Sequence, residues 1–109
     1  MENAFKPFKT YMIFMLNPEH PNAFMRYEWT EAHGGFKMPD YTMVYTGCID
    51  PGETEAETLE AIYTLLNINH PADYTCRSLS VSDVVALEDA GLFYCDSFGF
   101  KKLLGYDAN

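Results

Sequence analysis

Carboxylates and hydroxyls beside a predicted hairpin are the residues of this chain whose types could do chemistry. Asp83 and Asp96 flank the hairpin, and paired carboxylates can transfer protons or hold Mg²⁺. The simpler interpretation is that each carboxylate ties down a strand end. Ser78, Ser80 and Ser82 could include a nucleophile, but no Gly-x-Ser-x-Gly elbow frames them. We therefore favour local bonding of these serines to the backbone.

The three histidines do not have the spacing of a metal site. His20, His33 and His70 each lie in a predicted loop next to Pro, Gly or Asn. A metal site would need two ligands on one element at a fixed spacing. We expect solvated or locally bonded histidines, with no metal and no cofactor.

The cysteines indicate neither a disulfide framework nor a zinc site. Cys48, Cys76 and Cys95 are odd in number and include no Cys-x-x-Cys spacing. Cys48 and Cys95 lie in predicted strands, where we expect buried thiols that act as small hydrophobic groups.

The charge of the chain narrows the choice of partner. Seven Lys and Arg stand against sixteen Asp and Glu, for a formal net charge of −9. No basic residue occurs between Lys37 and Arg77. Binding to nucleic acid or to an anionic membrane requires clustered cations, so we expect neither. A partner protein with a basic surface is what this charge favours.

Acidic residues are concentrated at the start of the predicted helix. They are Glu53, Glu55, Glu57 and Glu60. The ordinary interpretation is a solvated helix face, and the functional one is a contact surface for a basic partner. Eight Tyr, eight Phe and one Trp exceed what so small a core needs, and aromatic residues are common interface anchors.

Length and hydropathy predict one folded domain spanning residues 1–109. The hydrophobic fraction is 48%, and no apolar run approaches the roughly 18 residues of a membrane span. The N-terminus lacks the charged start and long apolar centre of a secretory signal. We therefore expect a cytoplasmic protein.

Periodicity predicts the elements of the first half. Lys9 to Asn17 and Tyr41 to Ile49 have the apolar character of strands. Ala23 to Thr30 alternates and is also predicted as a strand, with a short helix as the alternative. Thr54-x-x-Glu57 is a capping box, and the following apolar spacing predicts the main helix, which ends between Asn67 and Pro71.

The second half predicts a C-terminal β-hairpin. Val81, Val84, Val85 and Leu87 are the strand formers of its first half, Leu92 to Cys95 form a second apolar run, and Glu88 to Gly91 form the turn between them. Lys101 to Gly105 is predicted as a short closing turn, and Tyr106 to Asn109 as a frayed end. Together these elements predict an α+β fold, in which one main helix packs on a mostly antiparallel sheet of four to five strands.

Three stretches of this sequence are similar to the YodL-like domain family. They read Asn67-Ile-Asn-His-Pro-Ala-Asp-Tyr, Arg77-Ser-Leu-Ser-Val-Ser-Asp-Val-Val and Tyr94-Cys-Asp-Ser-Phe-Gly-Phe. The resemblance covers about Lys9 to Leu104. Its signature residues are Asn69, His70, Pro71, Arg77, Ser78, Ser80, Ser82, Asp83, Asp96, Ser97, Phe98, Gly99 and Phe100. Ser82 stands where such domains often have Gly, so the turn before Asp83 is expected to be tighter or less strained. For the Arg77 stretch we favour a role in folding.

The resemblance implies small domains of bacterial phages, plasmids and conjugative elements, with no catalytic residues to transfer. We therefore expect an acidic, non-catalytic accessory protein that binds and modulates, most simply inhibits, a host or defence protein. An inhibitor of a nucleic-acid-guided nuclease is its sharpest form. Two alternatives remain open. One is a metal-dependent hydrolase or nuclease-like enzyme using Asp83 and Asp96, and the other a small-ligand or single-strand-binding module using sheet aromatics.

Overall fold

A computed structural model describes residues 8–103, which form one five-stranded antiparallel sheet with two helices. The strands are β1 Lys9–Leu16, β2 Tyr41–Ile49, β3 Val84–Leu87, β4 Gly91–Cys95 and β5 Phe100–Leu103. The helices are α1 Tyr27–Ala32 and α2 Glu55–Ile68, and a 3-10 turn spans Met38–Asp40. The order across the sheet is β2-β1-β3-β4-β5, and every pairing is antiparallel. The predicted α+β fold is confirmed.

Strand β1 lies inside the sheet and is covered on both faces. Tyr11, Ile13 and Met15 pack with α2 in the larger core cluster. Met12 and Phe14 point to the opposite face and pack against a second cluster. Because each face contacts an apolar cluster, the strand is apolar almost throughout, as its sequence predicts.

Helix α2 forms by the signals that its sequence carries. The Thr54 hydroxyl accepts a hydrogen bond from the Glu57 N–H at 3.1 Å. The Glu57 carboxylate in turn accepts from the Glu53 N–H at 2.9 Å. Leu59, Ile62 and Leu66 are buried on the sheet, so the helix delivers one apolar face to the core.

The β3–β4 hairpin is also confirmed. Val84 pairs with Tyr94 and Leu87 with Gly91, so that a tight turn joins two strands that are buried along their length. Val81 lies in the turn that precedes β3, not in the strand.

The prediction of a strand over Ala23 to Thr30 is wrong, and the alternative of a short helix is what the chain forms. Phe24 has a φ of +67°, which no strand can accommodate, and the chain then enters α1. Thr30 is buried on the inner side of this helix, where its hydroxyl is 2.6 Å from the Tyr94 hydroxyl. The helix is too short for its periodicity to be distinguished from alternation.

The predicted closing turn over Lys101 to Gly105 is wrong in its described part. Residues 101–103 belong to β5, which pairs with β4 and buries Leu103. Lysines in an edge strand weaken the sequence signal for a strand. Leu104, Gly105 and the predicted frayed end at Tyr106 to Asn109 lie outside the described residues. Over residues 8–103, no helix has the length and apolar character needed to cross a lipid bilayer.

Candidate functional site

Arg77 and Asp83 form an ion pair ahead of β3, in which the carboxylate is buried and the guanidinium is partly exposed. The guanidinium donates to the two carboxylate oxygens of Asp83 at 2.8 and 2.9 Å, and the Ser80 N–H donates a third bond at 2.7 Å. Asp83 is 0% exposed. Burial raises the pKa of Asp83, while the hydrogen bonds from Arg77 and Ser80 oppose this rise. The carboxylate is therefore occupied by its own loop and is not open to a ligand.

Ser82 has a backbone conformation that normally favours glycine. Its φ is +85°, its hydroxyl accepts from the Phe24 N–H at 2.9 Å, and its carbonyl accepts from the Tyr41 hydroxyl at 2.7 Å. The expectation of a less strained turn is wrong, because a side chain in this region costs energy that glycine avoids. The hydrogen bonds to two distant segments hold the residue in place.

Asp96 anchors the start of α1 rather than joining Asp83. Its Oδ1 accepts from the Tyr27 N–H at 3.0 Å and from the Ser97 N–H at 2.9 Å. The two aspartates that flank the hairpin thus have separate structural partners. Among residues 8–103, no group of three or more His, Cys, Asp or Glu is arranged to hold a metal ion.

Among the histidines and serines, His33 and Ser80 bond to nearby residues of the chain, whereas His20 and Ser82 bond to distant ones. His20 Nε2 lies 3.2 Å from an Asp40 oxygen, and His33 Nδ1 lies 2.8 Å from the Trp29 carbonyl. His70 is exposed beside the Tyr74 ring. Of the serines, Ser80 donates its hydroxyl to the Ser78 carbonyl at 3.3 Å.

Sequence reasoning missed the role of Asn67, which fastens the loop that follows α2. Its side-chain oxygen accepts from the Leu79 N–H at 2.6 Å, and its amide donates to the Leu79 carbonyl at 3.1 Å. The Asn67 side chain thus satisfies both backbone groups of Leu79, as a neighbouring strand would, and holds the loop against the end of the helix. A polar residue directly after the buried Leu66 was the available signal.

The cysteines differ in their surroundings. Burial raises the pKa of Cys95 to about 12, as expected of an inert core thiol. The prediction that Cys48 is buried is wrong, since this residue is exposed. Cys48 lies opposite Thr10 of the neighbouring strand β1, and both residues are exposed.

The acidic side chains at the start of α2 are all exposed, but they differ in their contacts. Glu57 belongs to the helix cap, and Glu55 lies 3.7 Å from the Lys102 ammonium group. The carboxylates of Glu53 and Glu60 have no partner among residues 8–103. These two charges are the part of the predicted acidic contact surface that the fold itself does not use.

An apolar cleft opens beside Glu60, between α2 and the last two strands. Its volume is about 280 Å³, and its floor contains Leu59, Phe93 and Phe100. A second depression of about 210 Å³ adjoins it and is lined in part by Tyr63 and Phe98.

Phe98 stands at the tip of the β4–β5 turn and is 95% exposed. Gly99 follows it with a φ of +68°, a conformation that glycine adopts easily. Phe98 is thus a signature residue that, unlike the buried Asp83, contributes little to the core. We refer to Glu53, Glu60, Tyr63 and Phe98, together with the cleft, as the α2–β5 surface.

The fold and this surface define a small α+β domain with an acidic face around an apolar cleft. The sequence profile of the YodL-like domain family matches residues 10–106, and the chain belongs to that family. No curated protein sequence and no solved structure gives a significant match to the chain.

Proposed function

We propose that this chain is a small acidic accessory protein of a phage or other mobile element. It binds and modulates, most simply inhibits, a host or defence protein, acts in the cytoplasm and performs no catalysis. The observation that carries the proposal is the α2–β5 surface, where the unpaired carboxylate of Glu60 borders an apolar cleft and the exposed Phe98 lies beside it.

This combination suits a protein partner with a basic surface. The net charge of −9 accelerates encounter with a basic surface and orients it. Affinity then comes from apolar anchors that lose water, and Phe98 and Tyr63 are the aromatic groups available for that role beside Glu60. Charge therefore determines which partner is favoured, and the aromatic side chains provide the affinity.

The sharpest form of the proposal is an inhibitor of a nucleic-acid-guided nuclease. Such an enzyme holds its nucleic acid in a groove lined by Lys and Arg. Exposed carboxylates at Glu53, just before α2, and at Glu60, within α2, present negative charge to such a groove without a phosphate backbone. Occupation of the groove would exclude the substrate.

The two alternatives have less support. The hydrolase hypothesis uses Asp83, whose oxygens are already bonded to Arg77 and Ser80. Calorimetric titration with Mg²⁺, Mn²⁺ and Zn²⁺ tests it directly, and stoichiometric binding would revive it. The strand-binding hypothesis needs exposed aromatics on the sheet. The large exposed aromatics of the described residues lie outside the strands: Phe8, Phe24, Trp29, Tyr63 and Phe98.

An affinity pull-down from host lysate, at low and at moderate salt, tests the proposal. The wild-type chain is compared with Glu53→Lys/Glu60→Lys and with the control Glu19→Lys/Glu28→Lys. Both double variants change the net charge equally, and all four positions are exposed. We expect one nucleic-acid-handling protein that is released as salt rises and is lost only with the first variant. Equal retention by both variants would refute the acidic contact surface.

Phe98→Ser separates binding from folding on the same surface. Because Phe98 is 95% exposed, we expect the free energy of unfolding to change by less than about 0.5 kcal/mol. Loss of an interface anchor should weaken the partner complex by about tenfold or more. Urea denaturation and a titration of the captured partner measure the two effects. An unchanged affinity for the partner would show that Phe98 is not part of the contact surface.

A further inference from the structure

The two edges of the sheet are built differently. The β5 edge is four residues long and carries Lys101 and Lys102, which are common safeguards against pairing with another chain. The β2 edge, Tyr41–Ile49, is nine residues long and contains neither a charged residue nor a proline. Within residues 8–103, β2 pairs with β1 alone. No second strand of the described residues occupies its outer side, where a partner strand could be added.

A bulge limits the usable part of this edge. The register shifts between Ile13 and Phe14, so that Val44 has no opposite residue in β1. At the bulge the Cys76 thiol donates to the Val44 carbonyl at 3.6 Å, so the loop after α2 meets the edge there. The stretch from Tyr45 to Ile49 remains in regular register. It provides five residues, which is an ordinary strand length.

The side of this stretch that faces α2 offers an apolar surface to an added strand. Tyr45 and Ile49 are half-buried and pack against the larger core cluster. Gly47 lies between them, because a Cβ at this position would stand 2.8 Å from the Tyr11 hydroxyl oxygen. The Tyr11 ring thus occupies the space below the strand. Apolar side chains of an added strand would therefore contact Tyr45 and Ile49.

Two exposed carboxylates bracket the stretch. Asp50 follows Ile49 directly, and Asp73 lies at the opposite end, where its Oδ1 accepts from the Tyr45 hydroxyl at 2.8 Å. A second copy of the chain, paired antiparallel about Gly47, would place Asp50 beside the Asp73 of the other copy. Like charges at both ends, and a charge of −9 on each copy, oppose that arrangement.

We propose that the edge from Tyr45 to Ile49 binds an extended segment of a partner protein by β-strand addition. The segment has a neutral, strand-forming centre and a Lys or Arg at each end. Main-chain hydrogen bonds to β2 provide affinity, and the cationic ends meet Asp50 and Asp73. This docking site lies at the opposite edge of the sheet from the cleft beside Glu60. It goes beyond the proposed function and does not depend on it.

The test uses the full chain and a fluorescent synthetic peptide, Lys-Lys-Val-Thr-Val-Thr-Val-Lys-Lys. A matched peptide has proline in place of both threonines, which keeps the charge but removes two backbone donors. We expect fluorescence anisotropy to show binding of the first peptide about tenfold or more tighter than of the second. Hydrogen exchange should slow at the amides between Tyr45 and Ile49 when the first peptide is added.

Matched charge variants locate the site. Asp50→Lys should weaken the first peptide about fivefold or more, because it reverses one end charge. Glu60→Lys makes the same change of charge at the α2–β5 surface and should alter the affinity less than about twofold. Equal binding of the two peptides, or equal loss in the two variants, would refute strand addition. A dimer in sedimentation velocity, with those amides protected, would also refute it in favour of a second copy.

The two proposals fail separately in these experiments. If Glu53→Lys/Glu60→Lys releases the captured partner while the peptide still binds, both proposals stand. If the peptide does not bind but the captured partner still responds to those acids, only strand addition falls. If the peptide binds but no captured partner responds to those acids, strand addition at the β2 edge stands and the α2–β5 surface is refuted as a contact surface.

Discussion

Arg77 and Asp83 pair ahead of the hairpin, where the carboxylate has no access to water. Arg77→Met removes its charged partner while retaining an apolar stem of similar length. We expect a loss of about 3–5 kcal/mol in the free energy of unfolding at neutral pH, because a buried charge is left unpaired. Urea denaturation measures this loss. In Asp83→Asn the half-exposed Arg77 can still reach water, so this control should lose less.

The same pair predicts a dependence on pH. Burial raises the pKa of Asp83 in the folded state, so the folded chain holds this proton more tightly than the unfolded chain. This contribution to stability is complete below the unfolded pKa and is lost as the pH rises through the folded pKa. Arg77 opposes the rise in wild type, so Arg77→Met should lose more between acidic and neutral pH. A deficit of equal size in both buffers would contradict this account.

Ser82 presents a conflict between the backbone and the side chain. Ser82→Ala keeps the positive φ and deprives the Phe24 N–H of its acceptor, so we expect a cost of about 1–3 kcal/mol. Ser82→Gly loses the same hydrogen bond but adopts the conformation without strain. It should therefore be about 1 kcal/mol more stable than Ser82→Ala. Denaturation midpoints of both variants decide the matter, and the opposite order would show that strain at this turn is unimportant.

At the scale of elements, α2 offers the clearest measurement, because one hydroxyl caps it. Thr54→Ala removes the acceptor of the Glu57 N–H and should cost about 1 kcal/mol. Thr54→Ser retains the hydroxyl and serves as the control, with a change of a few tenths of a kcal/mol. Thermal or urea unfolding followed by far-UV circular dichroism gives both values. An equal cost in the two variants would place the effect in the methyl group.

At the scale of the whole molecule, the charge of −9 opposes compaction. Added NaCl screens this repulsion, because the Debye length falls to about 10 Å at 0.1 M. We expect the free energy of unfolding to rise by about 1 kcal/mol or less between low and moderate salt. The rise should be smaller in Glu53→Lys/Glu60→Lys, whose net charge is less negative. Stability that falls with salt would mean that attractive pairs outweigh the repulsion.

Local patterns in the sequence determined most of the elements. The apolar run of β1, the strand Tyr41–Ile49, the capped start of α2 and the β3–β4 hairpin each have a signal within a few residues. Such signals are reliable because a helix cap, a tight turn and an apolar face are decided by neighbours along the chain. The same reasoning correctly predicted an antiparallel sheet with one main helix.

Contacts between distant residues decided the rest. Tyr27 begins a helix because Asp96, sixty-nine positions away, accepts its N–H, and Ser82 keeps a positive φ because Phe24 and Tyr41 bond to it. The edge position of β2 and the exposure of Phe98 follow from the order of the strands. No local pattern encodes these features, because each depends on which parts of the chain meet after folding. The sequence by itself determined the elements and the acidic charge, and the tertiary structure decided which of those groups remain available to a partner.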